Sequence, residues 1–131
     1  MKMYILKESS NVNDIKKRSE HVEQREFVSW VRKNHPKIKI FAIPNGGLRG
    51  IASAARLKAE GVSAGVPDLF IPSLKMFIEM KIAGGKVSDS QCEWLDYLVG
   101  AGYTCCVCYS KEEAEAVFTN ILLYKLERSR Y

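Results

Sequence analysis

The chain has 131 residues, long enough for one domain with an apolar core of its own. Its 47% hydrophobic and 27% charged residues exclude a disordered or fibrous polymer. No apolar run is long enough to span a bilayer, and Lys2, Lys7 and Glu8 break any leader-like stretch, so an intracellular, cytoplasmic protein with no membrane partner is expected. A formal net charge of +5 agrees with a polyanionic partner, although many small basic proteins bind nothing acidic.

Residues 1–18 read as a charged, weakly patterned arm ending in Lys16-Lys17-Arg18. A flexible tail, a segment exchanged with a partner subunit and a phosphate-contacting arm all fit it, and residues 19–131 read as a single folded domain. Ser19 is a good N-cap, followed by acidic residues and the apolar series Val22, Phe27, Val28, Trp30 and Val31. A helix is expected from about Ser19 to Asn34, stopped by Pro36. On it Glu20 and Gln24 share one face, while Glu23 shares the face of Phe27 and Trp30.

Lys37 to Ile43 alternates as a strand, with Ile38, Ile40 and Ala42 facing opposite to Lys39, Phe41 and Ile43. Pro44-Asn45-Gly46-Gly47 forces a loop, and Ile51 to Glu60 reads as a short helix closed by Gly61. Gly46, Gly47 and Gly50 would let a phosphate backbone approach main-chain amides, with Arg49, Arg56 and Lys58 to neutralise its charge. A flexible loop and a helix with a solvated basic face account for the same residues.

The stretch GVPDLFIPSLKMFIEMK, residues 65 to 81, contains two short strands, Asp68 to Ile71 and Lys75 to Lys81, interrupted by Pro72-Ser73. The link is too short for a parallel crossover, so an antiparallel hairpin is expected. A turn centred on Ser73 and Leu74 sets Asp68 opposite Glu79, their Cβ atoms roughly 4.5 to 5.5 Å apart. Two carboxylates so placed repel each other, and a divalent cation with a preference for oxygen ligands turns that repulsion into attraction. Phe77, Glu79 and Lys81 share one strand face, and Met76, Ile78 and Met80 the other.

A loop with Gly84, Gly85 and Lys86 follows. Ser88 then caps a helix whose apolar positions are Trp94, Leu95, Leu98 and Val99, stopped by Gly100 and Gly102. Gln91 lies in its first turn, within reach of the hairpin, where it could hold a water or phosphate. Trp94 reads as core rather than as a platform for a base. Tyr103 to Tyr109 is a buried strand, and Ser110 to Tyr124 a last helix with Ala114, Val117, Phe118 and Ile121 inward. Cys105, Cys106 and Cys108 fall in that strand, Cys92 stands apart and no CxxC pair occurs; reduced, buried thiols are expected rather than zinc ligands.

Pro67-Asp68 followed by Glu79-Met80-Lys81 resembles the PD-(D/E)XK nuclease superfamily, and Gly65-Val66-Pro67-Asp68, Glu79-Met80-Lys81 and Ser88-x-x-Gln91 resemble its VRR-NUC branch. The resemblance runs from about Glu20 to Ser110 and implies a restriction-endonuclease-like α/β core: a mixed central sheet with an antiparallel catalytic hairpin, flanked by helices. It also implies Mg²⁺ or Mn²⁺ held by Asp68, Glu79, the Met80 carbonyl and an acidic residue of the first helix. The Glu-His-x-x-Gln pattern favours Glu20 there, with Glu23 as rival; two solvent-facing glutamates at a helix N-terminus are the plain alternative. Lys81 and Gln91 complete the implied catalytic set, and Asn45, Arg49, Arg56, Lys58 and Lys86 the implied nucleic-acid contacts, to which Lys75 is added on charge.

The function so implied is a metal-dependent, structure-selective DNA endonuclease cutting four-way (Holliday) or branched junctions, of the kind found in phages and DNA repair. A resolvase needs two active sites, hence a homodimer. A flap or end-processing nuclease is the nearest competitor. A non-catalytic basic nucleic-acid-binding module, in which Glu79 and Lys81 form an ion pair and Asp68 caps a turn, is the reading from another class.

Overall fold

A computed structural model of the protein describes residues 3–5, 19–44 and 51–129. Within these, the helical and strand periodicities resolve into a five-stranded mixed sheet covered on both faces. The elements are β1 (Met3–Ile5), α1 (Glu20–Asn34), β2 (Phe41–Ala42), α2 (Ile51–Ala59), β3 (Leu69–Ile71), β4 (Met76–Met80), α3 (Asp89–Gly100), β5 (Thr104–Cys108) and α4 (Lys111–Arg128). The strand order is β1-β5-β4-β3-β2.

β4 and β5 run parallel with Met76 opposite Thr104 and Met80 opposite Cys108, joined through α3, as a parallel crossover requires. β3 and β4 run antiparallel, with Leu69 opposite Ile78 and Ile71 opposite Met76. A single 3₁₀ turn over Pro72–Leu74 joins them, and Lys75 closes it in the left-handed region at φ 49°.

Because β4 and β5 are buried along their whole length, they carry apolar residues on both faces. On one side Met76, Ile78, Met80, Cys106 and Cys108 pack against Phe27 and Val31 of α1 and Ala114, Val117, Phe118 and Ile121 of α4. On the other, Phe77, Cys105 and Val107 meet Leu95 and Leu98 of α3, with Trp94 half-buried beside them. The thiols of Cys105, Cys106 and Cys108 are buried and unbridged, and burial pushes Cys105 up to about 11 and Cys106 to about 12.

Helix ends follow the caps. The Ser19 hydroxyl accepts from the Val22 N–H at 3.2 Å, and Ser110 accepts from the Glu113 N–H at 3.1 Å. Gly61 (φ 106°) and Gly102 (φ 101°) close α2 and α3, each followed by a residue whose N–H reaches back to the last turn.

Three expectations need correction. The strand expected from Lys37 to Ile43 is only Phe41–Ala42, because a turn follows Pro36 and extends over the first residues; Ile40 is buried as the alternation required, while Ala42 is exposed. The last helix runs past Tyr124 to Arg128. The pattern of the arm predicts no strand, yet Met3–Ile5 lies parallel to β5 at the sheet edge. Three residues are too few to show a period, and a parallel partner a hundred positions away leaves no local mark. The rest of the arm, residues 6–18, lies outside the described residues.

One glycine has no alternative. Gly65 sits at φ 92°, and a Cβ there would stand 2.7 Å from both the carbonyl carbon and the oxygen of Ser90, in the first turn of α3. Gly65→Ala is expected to cost about 2 kcal/mol or more, from backbone strain and the displaced helix turn. Chemical denaturation checks it, and an alanine variant as stable as the parent contradicts the contact.

Candidate active site

At the open end of the β3–β4 pair the backbone brings two carboxyl groups together. Asp68 stands just ahead of β3, and its Oδ2 accepts the Met80 N–H at 2.8 Å, so the aspartate side chain takes the place of a ladder partner at the end of β4. Glu79, on the α3 face of β4, is 3% exposed. Its Oε1 accepts from Gln91 Nε2 at 2.9 Å, Oε2 is buried with no donor on it, and the protonated Glu79 carboxyl shares a side-chain hydrogen bond with Asp68. Gln91 is held in turn by a capping box: its own N–H donates to the Ser88 hydroxyl at 3.2 Å, and its Oε1 accepts the Ser88 N–H at 2.8 Å. The cap that starts α3 thus also fixes the amide that touches Glu79.

The charge state of the pair follows from this burial. Desolvation pushes Glu79 from its ordinary 4.5 up to about 8, with the charge of Asp68 adding to it and Lys81 opposing. Asp68 is also raised, first by burial and then by the charge of Glu20, against the pull of the Met80 N–H and Lys81. At neutral pH the pair therefore keeps a proton on Glu79 beside Asp68 rather than two full negative charges. Lys81 is half-buried at the end of β4, its N–H donating to the Cys108 carbonyl at 2.8 Å; its charge lowers both carboxyls.

The two glutamates of α1 have parted. Glu23 is 8% exposed and turned inward beside Phe27 and Val31, where its Oε2 accepts the Lys111 N–H at 2.9 Å and fills an orphan donor at the start of α4. Glu20 is exposed one turn earlier, near enough for its charge to raise Asp68 and Glu79. No signal near Glu23 in the sequence announces its role, since Lys111 is 88 residues away.

The basic residues are more scattered. Arg56 and Lys58 are exposed on α2, where Arg56 pairs with Glu60 at 3.2 Å; Lys86 is exposed in the segment between β4 and α3. Lys75 sits at the turn, at the opposite end of β4 from Glu79, and so is no neighbour of the carboxyl pair. Asn45 and Arg49 lie outside the described residues.

The pair fits a divalent cation. Two adjacent carboxyls that their surroundings leave with raised pKa values offer the oxygen donors that a hard cation prefers, and Glu79 Oε2 has no donor on it. Among the described residues no three His, Cys, Asp or Glu side chains group closely enough to hold a metal by themselves.

The family model described as the VRR-NUC domain matches residues 6–112. A solved structure named "VRR_NUC domain protein" is similar with a TM-score of 0.67 and 24% identity, over 82% of this chain and 90% of that one, a likeness of fold. No curated protein matches. The fold and the match define a nuclease domain of the PD-(D/E)XK type. Within that class, the chain belongs to the VRR-NUC domain family, and with it come a nuclease-type function and DNA as substrate. Among the described residues no helix is long and apolar enough to cross a membrane.

Proposed function

We propose that the protein is a metal-dependent, structure-selective DNA endonuclease acting on four-way or branched junctions as a homodimer, with β3 and β4 as its catalytic hairpin. The observation that carries this reading is the pairing of half-buried Asp68 with buried Glu79, both held to raised pKa values, with Lys81 beside them. Asp68, Glu79 and the Met80 carbonyl would hold Mg²⁺ or Mn²⁺, with Glu20, whose charge reaches both carboxyls without grouping with them as a third direct ligand, acting through water. Such an ion, when bound, polarises the scissile phosphate and supplies a water of lowered pKa.

The remaining chemistry belongs to the chain. Lys81 orients the attacking water and offsets the charge that builds on the phosphate in the transition state. Gln91 holds Glu79 in one rotamer through Oε1, which leaves Oε2 without a donor from the protein. Arg56, Lys58 and Lys86 contact phosphates and carry no sequence information, which leaves DNA shape as the basis of selection. Two sites related by a twofold axis would nick a junction symmetrically.

The α1 glutamates divide the labour. Glu20→Ala is expected to lower cleavage by roughly a hundredfold with stability unchanged, as loss of a ligand-shell carboxylate does. Glu23→Ala is expected to cost about 1 to 2 kcal/mol of stability, as a lost cap does, and to leave cleavage by the folded fraction intact. The reverse pattern would make Glu23 the ligand.

The whole reading is tested by incubating the protein with a labelled four-way junction, a flap and a linear duplex in Mg²⁺, Mn²⁺ or EDTA. Metal-dependent paired nicks confined to the junction are expected. Equal cutting of all three substrates removes junction selectivity, and binding without a cut in either metal leaves a basic binding module.

A further inference from the structure

The sheet face that carries Glu79 also carries a row of aromatic rings leading to the sheet edge. Phe41, Phe70 and Phe77 are cross-strand partners on β2, β3 and β4, so they share that face, with Phe77 two residues before Glu79. Phe77 stacks on Phe70 with centroids 4.3 Å apart, and Phe70 meets Phe41 edge-on at 5.7 Å. Phe77 is 9% exposed and belongs to the core under α3, but Phe41, on the last strand of the sheet, is 47% exposed. The ring is held by its neighbour yet open on its outer side.

Its chemical setting is basic. Lys37, Lys39 and Phe41 are all exposed, while Ile40 between the last two is buried. An exposed aromatic ring interleaved with lysines on a basic protein matches a strand of phosphates and bases: the charges track the backbone and the ring offers a flat apolar surface to a base. Strand spacing puts Phe41 about 12 Å from Glu79 along the face. At about 3.4 Å of rise per stacked nucleotide, that is a few nucleotides from a phosphate held at the carboxyl pair.

We propose that Phe41 is a stacking platform for an unpaired nucleobase of the DNA substrate, set a few nucleotides from the scissile phosphate, so that the protein favours DNA with unpaired bases beside the cut. The inference rests on the nuclease reading only for the word scissile; the platform itself is a binding site. A base in a continuous duplex presents its π-face to its neighbours and is not free to stack here. A base at a branch point, gap or frayed end is.

Binding is measured in EDTA, so that no cleavage intervenes, with fluorescent single-stranded oligonucleotides, the same oligonucleotides carrying abasic sites, and a matched duplex. Phe41→Ala is expected to weaken binding of the intact single strand about tenfold, to leave the abasic strand and the duplex unchanged, and to melt as the parent does. Phe41→Trp is expected to restore the affinity. An unchanged affinity in Phe41→Ala, or an equal loss on intact and abasic strands, overturns the proposal. So does a dimer that dissociates in Phe41→Ala without loss of DNA affinity, which would give this edge to a second copy of the chain. Stacking without any cut in Mg²⁺ or Mn²⁺ upholds the platform and overturns the nuclease reading instead.

Discussion

Asp68→Asn is expected to lower DNA cleavage roughly a thousandfold, the scale of several kcal/mol that a metal-held phosphate contributes to the transition state, while the protein stays folded and still binds DNA. The substitution separates two roles of one side chain. The structural role is to accept the Met80 N–H at 2.8 Å, and the asparagine carbonyl oxygen can accept the same bond. The chemical role is to supply negative charge beside Glu79, and asparagine has none. Asp68→Ala removes both and is expected to be less stable as well as inactive, because the Met80 N–H is left without its acceptor. Cleavage of a labelled junction, thermal melting and a binding isotherm on each variant check the pattern. Full activity in Asp68→Asn would falsify the assignment of the metal site.

Glu79→Gln is expected to abolish cleavage and at the same time to stabilise the metal-free protein above neutral pH. Burial, and then the charge of Asp68, raise the folded-state pKa of Glu79 from 4.5 to about 8. A carboxyl raised in this way binds its proton more tightly in the folded state, so its contribution to stability is fully present below pH 4.5 and is lost as pH rises through about 8. At about 1.4 kcal/mol per pKa unit the metal-free protein should lose a few kcal/mol across that window. Glutamine keeps the shape and removes the titration of Glu79, so its denaturation midpoint should fall much less over the same pH range, with Asp68 left to supply the remaining slope. Added Mg²⁺ or Mn²⁺ should restore the parent at high pH and do little for the glutamine variant, since binding to the native state alone is what stabilises. Denaturation curves at several pH values, with EDTA and with metal, distinguish these outcomes. A parent whose stability is flat from pH 5 to about 9 in EDTA would mean the pair is better solvated than its burial implies.

Much of the architecture was legible because its signals are local. Ser19, Ser88 and Ser110 cap the helices they announce, and Gly61 and Gly102 end theirs at positive φ. Ala114, Val117, Phe118 and Ile121 are buried as their spacing requires. The alternation in Met76 to Met80 sorts the two cores, Met76, Ile78 and Met80 to one side and Phe77 to the other. What went unread was non-local or short. The strand Met3–Ile5 depends on an edge that β5 offers from the far end of the chain. The extended segment before Phe41 has the alternation of a strand, but ladder bonds need a partner, and β3 is only three residues long.

The same division runs through the candidate site. The residue order places Asp68 and Glu79 at one end of a strand pair, because the count through the Pro72–Leu74 turn sets the register. It also places Gln91 in the first turn of a capped helix. Packing between distant elements is what brings Gln91 Nε2 onto Glu79, turns Glu23 to the Lys111 N–H while Glu20 is left near the pair, and desolvates Glu79. Periodicity and turn length act between neighbours and can be counted along the chain. Desolvation and long-range pairing depend on which residues cover a group, and those arrive from helices tens of positions away.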